Sequence, residues 1–145
     1  MTSLGPGWPR RVSQTLGMMM LTGAALNLVL TIVAPHTYAD LGLWMRGPEP
    51  LNHLWSATMG DHPRIWALFV GTGYEAAIGL LAISRDRRRR LGGLVGIAVF
   101  HVGLLIMGLW WWALPILAVL VGTIVRTVRH LDGRAESEPA TELLG

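Results

Sequence analysis

The sequence predicts an all-α integral membrane protein, a four-helix transmembrane bundle with both termini in the cytoplasm. Three observations predict this class: four long apolar segments, a composition that is 52% hydrophobic and only 14% charged, and basic residues concentrated at alternate connections. Soluble domains usually contain about 25% charged residues. At about 1.5 Å per helical residue, a segment of roughly 20 residues matches a hydrocarbon core of roughly 30 Å. The predicted spans are residues 15–34, 65–84, 91–109 and about 112–128.

The charges between the spans predict the direction of each helix. All twelve basic residues are arginines, and ten of them lie in residues 10–11, 85–90 and 126–134. These segments precede span one, join spans two and three, and follow span four, whereas residues 35–64 hold the other two arginines. Short arginine-rich connections stay in the cytoplasm. We therefore expect residues 35–64 to form an outer loop.

Composition also excludes several classes of function. The chain has no cysteine, so it cannot form a disulfide, a thiol redox centre, a cysteine-ligated zinc site or an iron–sulfur cluster on its own. Its net charge is +3, and residues 85–90 could bind nucleic acid or anionic lipid. No interleaved aromatic residues accompany this cluster, so we interpret it as a topology anchor. The lipid bilayer is the predicted partner, and nucleic acid is not.

The chain divides into a membrane domain and two tails. We expect residues 1–14 to be a cytoplasmic tail, residues 15–131 to be the four-span domain and residues 132–145 to be a disordered tail. Span one should end before Pro35, because proline disfavours a helical conformation in the residue preceding it. A signal peptide cleaved before Asp40 is the alternative, but the apolar run is longer than the 7–15 residues usual in such peptides.

The outer loop and the last connection carry further local patterns. Residues 51–59 place apolar side chains at helical spacing, which predicts a short helix on the outer surface. Residues 110–112 are three tryptophans where an outer aromatic belt should lie. Pro115 would fit the first turn of span four. The short connection makes spans three and four an antiparallel hairpin.

Three strongly polar residues lie inside the spans at similar predicted depth. Glu75 is ten residues from the outer end of span two and His101 is ten from the inner end of span three, so both lie roughly 15 Å deep. Asn27 lies about twelve residues into span one. They form either an interhelical hydrogen-bond clamp or a midplane site in which Glu75 and His101 share a proton. Tyr74 and Thr72 could join either arrangement.

Cofactor and metal sites are weaker hypotheses. A quinone-like headgroup is possible at the midplane site, so its ligand-binding candidates are Asn27, Tyr74, Glu75 and His101. Bis-histidine haem is not favoured, since His101 alone lies at the midplane. Imidazole and carboxylate groups of the outer loop suit zinc, copper or iron, but their spacing matches no ligand signature. These metal candidates are His36, Asp40, His53 and His62.

The order of residues through spans two and three resembles a known family. Glu75-Ala-Ala-Ile-Gly79 is followed by an apolar run, the arginines of residues 85–90 and a glycine-rich third span. This order, and residues 35–40, are similar to the DoxX-like family of small four-span bacterial membrane proteins. The resemblance implies a bacterial plasma membrane and association with quinone-coupled oxidoreductases. The resemblance assigns the family's Glu-x-x-x-Gly pattern to Glu75 and Gly79 of this chain.

The expected function is therefore an accessory or anchor subunit of a quinone-linked membrane oxidoreductase assembly, not catalytic by itself. Its partner would be a redox enzyme or a second copy of the chain. The alternatives are a small carrier that translocates protons or substrate, and a stand-alone membrane enzyme that acts on a lipophilic substrate.

Overall fold

The computed structural model describes residues 7–42 and 47–135. Within these ranges every regular element is helical, and four helices are long and apolar enough to cross a membrane. This confirms the four predicted apolar helices. Their bounds are Trp8–Val33, Pro63–Ile83, Arg87–Ile106 and Trp110–Arg129.

Helix α1 (Trp8–Val33) begins seven residues before the predicted span. Residues 8–14 are therefore helical and not part of a loose tail. Pro9 suits the first turn of a helix, where its missing N–H would have no intrahelical partner. At the other end, Ala34 leaves the helical conformation with φ −144°, directly before Pro35 as predicted.

Two short helices form one end of the molecule, which we call the loop end. Helix α2 (His36–Leu41) follows Pro35, and α3 (Glu49–Trp55) continues into a π-helical turn, π1 (Ser56–Gly60). The predicted helix over residues 51–59 is thus present and begins two residues earlier, whereas α2 was not predicted. Both pack against the main helices through a small apolar core. Its buried members are Tyr38, Met59 and Ala67, with Leu30, Trp55 and Val70 against them.

The second long helix changes its hydrogen-bonding pattern along its length. It runs as α4 (Pro63–Trp66), the π-helical segment π2 (Ala67–Tyr74) and α5 (Glu75–Ile83). In a π-helix each N–H bonds to the carbonyl five residues earlier, and such segments frequently occur at functional sites. Glu75 is the first residue after π2.

Helix α6 (Arg87–Ile106) begins at the opposite end of the molecule, which we call the arginine end because it carries residues 85–90. Asp86 caps it by accepting the Arg89 backbone N–H at 3.0 Å. This bond, with Arg88 and Arg89 charges nearby, holds the pKa of the Asp86 carboxyl below its ordinary value. The cap therefore stays ionised at neutral pH.

Helix α7 (Trp110–Ala135) follows a tight turn in which Gly108 has φ 92°, a conformation that favours glycine. It starts two residues before the predicted span, so Pro115 lies inside the helix and not in its first turn. It also continues through residues 132–135, which were expected to be disordered. Residues 136–145, the rest of that predicted tail, lie outside the described residues. Helices α6 and α7 pack against each other, as expected for the predicted hairpin of spans three and four.

Close backbone contacts position the long helices. Helix α1 packs along α5 and π2, α5 packs along α6, and α6 packs along α7. Gly17 and Gly79 face each other, and a Cβ on either would lie 2.9 Å from the other's carbonyl oxygen. A Cβ on Gly93 would overlap the Ala82 backbone nitrogen. The side chains between the helices come from all four: Leu16, Met20, Ile78, Ala82, Leu94, Ile97 and Leu120.

The outward faces of these helices are apolar. Val33 is 75% exposed and Phe69 is 70% exposed, and many other large apolar side chains share this exposure. Soluble monomers rarely expose continuous apolar surface of this extent. In a lipid bilayer these apolar faces would contact hydrocarbon chains and not water.

Candidate functional site

A cavity of about 460 Å³ lies between the loop end and the middle of the long helices. Three of the four predicted ligand-binding residues line it: Asn27, Tyr74 and Glu75. The remaining wall is almost entirely apolar and includes residues of π2, α6 and the loop helices. Those residues are Tyr38, Leu41, Trp55, Met59, Phe69, Val70, Gly71, Val99, Phe100, Gly103, Leu104 and Met107.

Glu75 supplies the ionisable group of the cavity. Its side chain is 6% exposed, and its carboxyl packs against the α1 backbone at Gly23. A Cβ at Gly23 would lie 2.5 Å from Glu75 Oε2, so glycine leaves the room that the carboxyl occupies. The side chain of Asn27, one helical turn further along α1, lies beside the Glu75 carboxyl and interacts with it. The predicted convergence of Asn27 and Glu75 is therefore present.

Asn27 joins three parts of the molecule through its side-chain amide. Its Nδ2 donates to the Gly71 carbonyl oxygen in π2 at 3.2 Å. Its Oδ1 accepts the Tyr38 hydroxyl at 2.9 Å. A Cβ at Gly71 would lie 3.1 Å from Asn27 Cγ, so the helices meet closely here. The amide is thereby fixed in orientation beside Glu75.

The sequence did not identify Tyr38 and Trp55 as site residues. Tyr38 is 5% exposed, and its backbone carbonyl accepts the Trp55 Nε1–H at 3.0 Å. The chain reverses at Ala34, and this reversal returns the Tyr38 hydroxyl to Asn27. Helical spacing carries no signal for such a contact, because the two residues belong to different helices. The tyrosine three residues after Pro35 was the available clue.

Tyr74 forms the wall towards α6. Its hydroxyl donates to the Gly96 carbonyl oxygen at 3.0 Å. Its ring lies 6.3 Å from that of Phe100, measured between centroids. Tyr74 and Phe100 precede Glu75 and His101 in the chain, so Glu75 and His101 lie at a similar level, as the depth estimate predicts.

His101 nevertheless does not line the cavity. It is 1% exposed, and its Nδ1 donates to the Ile97 carbonyl oxygen at 2.8 Å. Its Nε2 is buried without a hydrogen-bond partner among the described residues. The expected hydrogen bond with Glu75 is therefore not formed. Consecutive helical residues point about 100° apart, so while Phe100 faces the cavity its neighbour is turned away.

The structure does not bring the four predicted metal-binding candidates together into a site. Across residues 7–42 and 47–135, no three His, Asp or Glu side chains lie close enough to hold a metal ion. His36, Asp40, His53 and His62 are all exposed. His53 instead lies 3.7 Å from Glu49 on the same helix, an exposed pair that contributes little to stability.

The cavity combines a large apolar wall with one compact polar patch, formed by Asn27, Glu75 and the Tyr38 hydroxyl. Pockets of this size and lining suit small molecules whose polar end is fixed by a few groups. The polar patch combines α1 and α5 side chains with the Tyr38 hydroxyl, whereas the other loop-end side chains on the wall are mainly apolar. The arrangement suits an amphipathic molecule inserted headgroup first.

Compared with known proteins, the chain matches no family model, and neither a curated protein nor a solved structure is significantly similar to it.

Proposed function

We propose that this chain binds a lipophilic molecule in the cavity between Glu75 and the loop end, as an accessory subunit of a quinone-linked membrane oxidoreductase assembly. The observation that carries the proposal is the cavity itself, which has a volume of about 460 Å³, a mainly apolar wall and a polar patch that includes Asn27 and Glu75. A volume of this order accommodates a substituted ring with a short alkyl chain.

The accessory role and the bacterial plasma membrane rest on the resemblance to the DoxX-like family. The two positions that the resemblance carries over have separate physical roles in this chain. Glu75 faces the cavity, and Gly79 allows α5 to approach α1 at Gly17. A binding residue and a packing residue within one helix account for the Glu-x-x-x-Gly pattern without a catalytic role for either.

The proposed topology is a four-span bundle with both termini in the cytoplasm and the cavity in its outer half. The arginines at residues 85–90 favour the cytoplasmic side for that end of the molecule. The loop helices then lie outside, with Leu41 and Trp55 beside the cavity. A ligand from the bilayer would insert its headgroup towards the midplane and leave its tail near the outer leaflet.

The experiment measures binding of two probes, an alkylated benzoquinone and its hydroquinone, to purified protein in nanodiscs. The test variant is Gly103→Leu, because Gly103 lines the cavity and a Cβ there meets nothing within 4 Å. The added side chain should fill the cavity and weaken binding at least about tenfold, or about 1.4 kcal/mol. Gly122→Leu is the control, since a Cβ at Gly122 also meets nothing within 4 Å and this residue lies outside the cavity wall.

Binding of neither probe to the wild type, or equal binding to both variants, would refute the proposed site. Gentle detergent extraction tests the accessory role separately, and recovery with a redox enzyme is the expected result. Proton or probe movement in liposomes containing this protein alone would instead establish a carrier. Conversion of the probe by this protein alone would establish an enzyme.

A further inference from the structure

Among the described residues, most hydrogen-bond donors on the cavity wall are already used within the protein. Four lining side chains carry an N–H or O–H at any ordinary pH: Asn27, Tyr38, Trp55 and Tyr74. Each is engaged with a protein acceptor. The Tyr38 hydroxyl bonds to Asn27, Trp55 Nε1 to the Tyr38 carbonyl, and the Tyr74 hydroxyl to the Gly96 carbonyl.

The Asn27 amide completes this inventory. One of its N–H groups donates to the Gly71 carbonyl oxygen, and the amide lies beside the Glu75 carboxyl. Its oxygen already accepts the Tyr38 hydroxyl. Within the described wall, a ligand that needs a donor would therefore have to break one of these bonds or compete with Glu75 for the second Asn27 N–H.

The free capacity of the wall consists of acceptors, and most of it belongs to Glu75. Its carboxyl group has two oxygens with lone pairs, and Asn27 is the neighbouring polar side chain that interacts with them. The group is 6% exposed within an apolar surround. A donor arriving with the ligand would bond to this carboxyl in an apolar surround, where a hydrogen bond is electrostatically stronger than in water.

We infer that the cavity selects lipophilic molecules whose polar end is a hydrogen-bond donor, a hydroxyl or ammonium group, over those whose polar end is an acceptor. This rests on the proposed function and narrows it. Of a quinone and its hydroquinone, the site takes the hydroquinone, because the two-electron, two-proton reduced form carries O–H groups where the quinone carries carbonyl oxygens.

The experiment compares four probes that share one alkyl chain and differ at the polar end. They are an alkyl hydroquinone, its quinone, its dimethyl ether and the corresponding alkylammonium, each measured with the wild type in nanodiscs under anaerobic conditions. The hydroquinone should bind about tenfold more tightly than the quinone and the ether, the difference expected for one well-formed hydrogen bond. The ether controls for ring shape and apolar area.

Glu75→Gln supplies the sharper test, since glutamine keeps an acceptor oxygen and adds two donors. In this variant the preference should shrink or reverse, with hydroquinone affinity falling and quinone affinity unchanged or higher. The Gly103→Leu variant should weaken all four probes together. A circular dichroism spectrum and a monodisperse elution profile matching the wild type establish that each variant is folded.

The outcomes separate the two proposals. Quinone binding that equals or exceeds hydroquinone binding, with both lost in Gly103→Leu, would overturn the donor preference and leave the cavity as a binding site. Binding of the alkylammonium with none of the hydroquinone would identify a cationic headgroup and support donor selection. No binding of any probe would overturn both proposals.

Discussion

At the scale of single residues, the site depends on the way Asn27 is held. The Asn27 amide faces a hydroxyl from α2, a carbonyl from π2 and the Glu75 carboxyl, so one side chain aligns three elements. Interhelical hydrogen bonds in lipid typically contribute only about 0.6–2 kcal/mol each. The main effect of such a network is therefore orientation: it fixes which side of the amide faces Glu75.

Tyr38→Phe tests this role. It removes the hydroxyl that bonds to Asn27 Oδ1 and leaves the ring in its apolar core. We expect the free energy of unfolding to fall by about 0.5–1.5 kcal/mol. Affinity for the preferred probe should also fall several-fold, because the freed amide no longer holds one orientation. Denaturant titration and probe binding in nanodiscs measure the two effects.

Tyr74→Phe is the matched control for that substitution. It removes a hydroxyl from the wall of the same cavity, but this hydroxyl bonds to the Gly96 carbonyl and not to Asn27. It should lose comparable stability and retain most of its probe affinity. If both variants lose probe affinity equally, the hydrogen bond from Tyr38 to Asn27 does not specifically determine probe binding.

At the scale of elements, the helices are positioned by backbone contacts that glycine makes possible. Lipid supplies no hydrophobic driving force between helices, so close packing has to provide the attraction. The α5 and α6 backbones meet where Gly93 faces Ala82, while the neighbouring Gly92 has open space around the position of a Cβ. Two adjacent glycines therefore have opposite tolerance for a side chain.

Gly93→Ala and Gly92→Ala form a matched pair. A methyl group at residue 93 would overlap the backbone of Leu81 and Ala82, and no side-chain rotation can remove that overlap. We expect a loss of about 1–3 kcal/mol in unfolding free energy, typical of overpacking. At residue 92 the same change should be neutral or stabilising by up to about 1 kcal/mol, because alanine favours helix. Equal stability of the two variants would contradict the observed α5–α6 contact.

The same scale shows how much of the site could be read from the sequence. The depth of a residue along a span follows from a count of residues, so the sequence was enough to place Asn27, Glu75 and His101 at a similar depth. The side chains of Asn27 and Glu75 do lie beside each other in the structure. Rotation about a helix axis depends on packing, which a count does not contain. His101 consequently faces away from Glu75, bonded to Ile97. The π-helical segment before Glu75 adds a further rotation that apolar periodicity does not reveal.

At the scale of the whole molecule, the presence and apolar character of the four long helices were the most predictable features. Bilayer thickness sets the length of each span, and Pro35 ends the first one through a local backbone constraint. The helices extend past the predicted limits at Trp8 and Ala135, because hydropathy marks the part within lipid and not the end of hydrogen bonding. In the described part of residues 35–64, the fold depends on contacts with the long helices, so the sequence predicted only one of the two short helices described there.

The orientation of the molecule in the membrane gives the last prediction, and the absence of native cysteine makes it direct to test. His62→Cys and Arg88→Cys each place one thiol at an exposed position, at the loop end and the arginine end respectively. A membrane-impermeant thiol reagent added to intact cells should label residue 62 and leave residue 88 unlabelled. Four arginines of residues 85–90 remain in the second variant, so the charge bias that sets orientation persists. Both variants should react after the membrane is permeabilised, which controls for reactivity. Labelling of residue 88 alone in intact cells would invert the topology and place the cavity in the inner half of the bilayer.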